Sequence, residues 1–199
     1  MAFFDLENHF AFYGAYHRNP VNTAIHVFFV WPIFFSALLI LHFSPPFFFY
    51  LPNLEFSLWW NNVAFVVALL YSIFYLALDL RAGSLAAFLC ALCWIGSSFL
   101  ASQLRWSLAW KVVLVVQLVC WTQLFIGHGI FEKRAPALLD NLVQAFVMGP
   151  FFVLLEVTCF MQVLHNLFGY EPYPGFHSKV QAKVEANINE WQESKQKLS

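Results

Sequence analysis

Residues 13–26 read YGAYHRNPVNTAIH, and the rest of the chain is organised around them. They sit where a polar N-terminal segment meets the first long apolar run. They contain His17 and His26, Asn19 and Asn22, and Pro20, the only proline among the first thirty residues. The pattern predicts a helix, a break and a second helix. Asn19 before Pro20 is a helix-start signal: Asn caps free amides, and Pro suits the first helical position because its missing N–H costs nothing there. His26 falls in the second turn of the new helix, on the face of Asn22 four residues earlier. Nine positions along one unbroken helix would turn His17 and His26 to opposite faces. The break at Asn19-Pro20 is what lets the two imidazoles converge.

Outward from this stretch, the chain is strongly apolar. Of its 199 residues 61% are hydrophobic, 20% aromatic and only 11% charged. Soluble domains carry roughly 25% charged residues, so composition predicts an all-α polytopic membrane protein. A mean hydropathy of +0.66 agrees. The basic residues are scattered rather than striped, which excludes nucleic acid as a partner. Cys90-x-x-Cys93 lies mid-span with no second pair or nearby histidine, so it reads as packing rather than zinc.

Residues 2–16 predict an amphipathic helix at the membrane surface, with Phe3, Leu6, Phe10 and Tyr13 on one side. Four spans follow, at 24–43, 62–78, 84–101 and 112–127. A proline-rich loop separates the first two, and Trp31-Pro32 bends the first. A fifth apolar stretch, 142–168, is broken at Gly149-Pro150 and carries Glu156. It reads either as a re-entrant hairpin or as a fifth span. The expected architecture is thus a membrane-embedded catalytic domain over 1–176 and a polar tail over 177–199. Four crossings place Arg18, Arg81, Lys133, Arg134, Lys179 and Lys183 on one side against Arg105 and Lys111. That bias predicts a cytosolic active face and cytosolic termini. The final Lys195-x-Lys197-x-x resembles a retrieval signal of the endoplasmic reticulum, which is read in the cytosol.

Following the crossings, His26 opens span one and His128 closes span four, so both reach one membrane face. His17 lies on that face too. Glu132, four residues beyond His128, shares its side if the segment is helical. Imidazoles with a carboxylate and open positions suit a non-haem Fe(II) centre that takes dioxygen and a chelating substrate, although the same ligands could hold zinc. The candidate catalytic residues are therefore His17, His26, His128 and Glu132. Arg18, Asn22 and Lys133 are candidates for holding substrate. Glu156 is a second point of interest, because an ionisable group in an apolar stretch is functional by default. His165 returns to the active face only if the fifth stretch is a hairpin. No two histidines have the close spacing of di-iron desaturase boxes. A non-enzymatic lipid-binding or scaffold protein of the endoplasmic reticulum is the alternative.

The runs Tyr16-His17-Arg18-Asn19-Pro20-Val21-Asn22 with Ile25-His26, and Ile126-Gly127-His128 with Phe131-Glu132, Ala135-Pro136-Ala137 and Gly149-Pro150-Phe151-Phe152, carry a resemblance. They are similar to the two signatures of the 2-hydroxy fatty acid dioxygenases of the endoplasmic reticulum, the Mpo-one-like membrane proteins. The resemblance covers both polar clusters and most of the chain. It implies an enzyme using Fe(II) and O2 that shortens a long-chain 2-hydroxy fatty acid by one carbon, in the alpha-oxidation that degrades phytosphingosine. It implies His17, His26 and His128 as metal ligands, with His165 as a fourth.

Overall fold

The computed structural model describes residues 5–45, 62–136, 141–142, 144–160 and 171–197, without the side chains of 144 and 157–160. Among the described residues all regular structure is helical. The α-helices are α1 (Leu6–Tyr16), α2 (Pro20–Leu41), α3 (Val63–Leu78), α4 (Leu80–Gln103), α5 (Trp106–Ile126), α6 (Gly149–Phe160) and α7 (Phe176–Lys197). Wider π-helical turns follow α5 over Gly127–Glu132 and precede α6 over Gln144–Met148.

The chain divides into two compact units. One holds Met1–Val27 with Leu124–Ser199, and the other holds Phe28–Gln123. In the second unit α3 packs along α4. Asp79 serves both helices. Its backbone N–H ends α3 on the Tyr75 carbonyl, and its carboxylate accepts from the Ala82 N–H at 2.6 Å to start α4. Gly83 is required beside it, since a Cβ there would lie 2.2 Å from the Tyr75 carbonyl oxygen. The third span, expected from residue 84, starts earlier, because Asp79 caps the helix at Leu80.

Three helical stretches are long and apolar enough to cross a membrane: Pro20–Leu41, Leu80–Gln103 and Trp106–Glu132. Helix α3, with 16 residues, is shorter. At about 1.5 Å per residue it measures about 24 Å, against roughly 30 Å of bilayer hydrocarbon. The apolar side chains left on the surface, among them Phe88, Phe99, Val115 and Leu118, suit a lipid environment. Helix α2 runs on through Pro32. Next to that residue Ser36 Oγ donates to the Pro32 carbonyl at 2.7 Å, and Gln117 Nε2 donates to the Ile33 carbonyl at 3.0 Å. These two side chains, one on α2 itself and one on α5, add bonds to the carbonyls at and just after the proline. Cys90 and Cys93 are unpaired, with Cys90 fully buried in packing.

In the first unit α1 lies against α7. Asp5 caps α1 by accepting from the Asn8 N–H at 3.1 Å. The expected polar tail is a helix whose Phe176, Val180, Val184 and Ile188 are buried. Those positions recur every four residues, so they make one apolar stripe. Lys183 pairs with Glu7 at 2.6 Å, and Tyr173 donates to Glu7. Arg134 stacks on Tyr16 at 3.6 Å and on Trp191 at 4.7 Å, and donates to the Ala15 carbonyl at 2.9 Å.

Candidate metal centre

The α1–α2 break forms as the Asn-Pro signal predicts. Helix α1 stops at Tyr16 and α2 starts at Pro20, with Asn19 Oδ1 accepting from the Val21 N–H at 2.9 Å. The turn reverses the chain enough to set the His17 and His26 rings 4.3 Å apart, edge to face. His128 arrives from the π-helical turn after α5. Its ring centroid lies 5.0 Å from His17 and 4.9 Å from His26. All three imidazoles are buried. Each offers a ring nitrogen within 4.8 Å of the others, and they are the only such group among the described residues.

The local structure explains the close approach. Gly127 packs on Asn22: a Cβ there would fall 2.4 Å from Asn22 Oδ1. The missing side chain lets the turn bearing His128 close onto the start of α2. The π-helical turn itself, a geometry often found at functional sites, ends at Lys133. Lys133 has φ 55°, a left-handed conformation uncommon outside glycine, and its N–H closes on the His128 carbonyl.

Hydrogen bonding fixes which nitrogens of His17 and His26 carry the proton. Nδ1 of His17 contacts the Tyr13 carbonyl at 2.8 Å, and Nδ1 of His26 contacts the Asn22 carbonyl at 2.9 Å. A carbonyl only accepts, so both Nδ1 atoms carry the proton and both Nε2 atoms keep a lone pair. Backbone carbonyls hold ligand histidines in this way. Nε2 of His17 and Nδ1 of His128 are buried and have no hydrogen-bond partner among the described residues. Burial, and then the neighbouring imidazoles of His26 and His128, hold His17 well below the usual histidine range, so its ring is neutral. Three buried imidazoles with ring nitrogens this close together fit a metal ion. Two nitrogens bound to one ion at about 2.1 Å lie at most about 4.2 Å apart, so a small side-chain adjustment closes the set.

The other expected residues are placed as follows. Glu132 does not join the three histidines. Its carboxylate accepts from the backbone N–H groups of Arg18 at 3.1 Å and Asn19 at 2.9 Å, and from Asn22 Nδ2 at 3.2 Å. It ties the His128 turn to the α1–α2 turn. Asn22 is fully buried, and its Nδ2 also donates to the Tyr16 carbonyl at 3.2 Å, so it supports the turn from inside. Arg18 and Lys133 are exposed. His165 lies outside the described residues. Glu156 is buried, and Tyr13 Oη donates to it at 2.7 Å and Thr23 Oγ1 at 3.1 Å. Tyr13 was read from its sequence only as part of an apolar stripe, yet its ring stacks on His17 at 3.9 Å.

A family model described as 2-hydroxy-palmitic acid dioxygenase Mpo1-like matches residues 3–161. That span includes all three histidines. The chain belongs to the Mpo1-like family. A relative in Saccharomyces cerevisiae, 2-hydroxy-palmitic acid dioxygenase MPO1, is 37% identical over 153 residues. The match covers 76% of this chain and 79% of the yeast protein. No solved structure matches. The matched span takes in both the α1–α2 turn and the π-helical turn that bears His128.

Proposed function

We propose that the protein is a non-haem Fe(II) dioxygenase that shortens long-chain 2-hydroxy fatty acids by one carbon. The observation that carries this reading is the convergence of three buried histidines in a chain of the Mpo1-like family. His17, His26 and His128 would hold the iron. Imidazole donors suit iron, zinc, copper and nickel alike, and an oxygen-using reaction requires a redox-active member of that set. Bound Fe(II) supplies the one-electron chemistry that lets dioxygen react with a closed-shell acid.

The protein's own part is orientation and exclusion of water. The Tyr13 and Asn22 carbonyls keep the protons of His17 and His26 on the outer nitrogens. Glu132 locks the two turns that bring the histidines together. The exposed cations Arg18 and Lys133, on those same two turns, are available to a fatty-acid carboxylate arriving from the interface. The acyl chain would remain among apolar helices.

The cellular setting belongs to the same proposal. Four crossings, with α3 counted as the second and the fifth apolar stretch returning to its own side, give the charge bias a single direction. The three-histidine face and both termini are then cytosolic, on the endoplasmic reticulum membrane. The degradation of phytosphingosine would supply the 2-hydroxy acid.

The test is turnover by purified, detergent-solubilised protein given 2-hydroxypalmitate and oxygen, with and without added Fe(II). Iron-dependent release of the fatty acid one carbon shorter is expected from the wild type. His17→Ala, His26→Ala and His128→Ala should each reduce it at least a hundredfold. No product from folded, iron-loaded protein would instead favour a lipid-binding role.

A further inference from the structure

Glu156 has no part in the chemistry outlined above, yet it is a buried carboxylate in an otherwise apolar helix. Such a group is retained only where partners compensate its lost hydration. Its partners come from both sides of the α1–α2 turn. Tyr13 Oη, on the last turns of α1, donates to Oε2 at 2.7 Å. Thr23 Oγ1, on the first turn of α2, donates to Oε1 at 3.1 Å, and the same hydroxyl lies 3.3 Å from the His17 carbonyl. Both oxygens are thus engaged by hydroxyls.

The two hydroxyl-bearing residues are those that flank the histidines. Tyr13 touches His17 twice: its carbonyl accepts from Nδ1 at 2.8 Å, and its ring lies against the imidazole at 3.9 Å and 16°. Thr23 precedes His26 by three positions, one helical turn away. We infer that Glu156 is a positioning residue for the metal centre, fixing the Tyr13 ring and the head of α2 so that the His17 and His26 nitrogens converge before metal arrives. Ligand-bearing side chains that are already aimed bind a metal more tightly, and removal of such outer contacts typically costs about 10–100-fold in affinity. Glu132 performs the matching task on the solvent side of the same turn, through the Arg18 and Asn19 amides. The turn is therefore held by one carboxylate from each side.

This inference rests on the three-histidine reading, and the experiment separates the two. Co(II), a spectroscopic stand-in for Fe(II), is titrated into metal-free full-length protein in detergent, with its visible absorption recorded. Wild type should bind one Co(II) per chain, and His17→Ala should abolish the spectrum. Absence of binding by wild type overturns the three-histidine reading and this inference with it. Glu156→Leu should bind about 10–100-fold more weakly, with altered band positions. Tyr13→Phe, which keeps the ring stacked on His17 but removes the donor, should weaken binding in the same direction. Glu156→Gln retains an acceptor and should recover most of the affinity. The double variant Tyr13→Phe with Glu156→Leu should be no worse than Glu156→Leu alone, because one line of contact is cut twice. Wild-type affinity and spectrum in both Glu156→Gln and Tyr13→Phe would overturn the proposal, even if Glu156→Leu failed to fold. So would losses that simply multiply in the double variant.

Discussion

At the scale of single residues, burial and lone-pair direction decide what the site can do. His17, with its ring held neutral by burial and by the adjacent imidazoles, makes a pH prediction for the metal-free protein. An imidazole in the unfolded chain takes a proton near pH 6.5, whereas His17 in the fold resists it. The unfolded state therefore binds more protons below that pH. The stabilising contribution is complete above about pH 6.5 and declines as the pH falls, by at most about 1.4 kcal/mol per pH unit for this one group. Denaturant melts of metal-free wild type and His17→Gln between pH 5 and 8 check it: only the wild type should carry that part of the slope. Gly127 makes a second prediction. A methyl group 2.4 Å from Asn22 Oδ1 must displace a fully buried side chain. Gly127→Ala should cost about 1–3 kcal/mol, and Asn22→Ala in the same chain should return part of it. The sequence made His17 and His26 legible as partners, because the Asn19-Pro20 break is a local signal. It could not reveal what Glu156 does. The hydroxyls that Glu156 binds are 143 and 133 positions away. The role of Glu132 was hidden for the same reason: spacing put it beside His128, but the amides it reaches belong to the other turn.

At the scale of elements, two helix junctions carry the argument. Asp79 ends α3 and caps α4, so Asp79→Ala should lose about 1 kcal/mol of stability and leave metal binding unchanged. The other junction is α1 with α7. The tail over 177–199 reads as a polar segment because its apolar residues stand singly among charged and amide side chains. The stripe Phe176, Val180, Val184 and Ile188 was nevertheless present in the sequence at helical spacing. Its partner face on α1 lies at the opposite end of the chain, which no local pattern could name. Phe176 is fully buried and stacks near Phe10 at 6.0 Å. Phe176→Ala should destabilise the protein by about 3–5 kcal/mol, read as a fall in Tm by fluorescence in detergent. Because α1 carries Tyr13 and leads directly into His17, the same variant should also release bound metal at lower temperature.

At the scale of the whole molecule, the centre is built from the two ends of the chain. Residues up to Val27 and those from Leu124 onward form one unit, with long apolar helices lying between them in sequence. The helical class was legible from composition, and three of the expected spans are long enough to cross a bilayer. Helix α3 keeps the bounds its apolar pattern predicted, with Asn62 and Asp79 capping it at either end, and at 16 residues it is the shortest of the four. Joining His128 to His17 and His26 required counting crossings, because about a hundred residues separate them. The central claim is that these three side chains hold one metal ion. The most direct test is the metal content of purified protein after anaerobic loading with Fe(II) and removal of excess, measured for wild type and for His128→Ala. One iron per chain in the wild type and almost none in the variant is the predicted result. Equal iron in both, with the variant folded, would contradict the account.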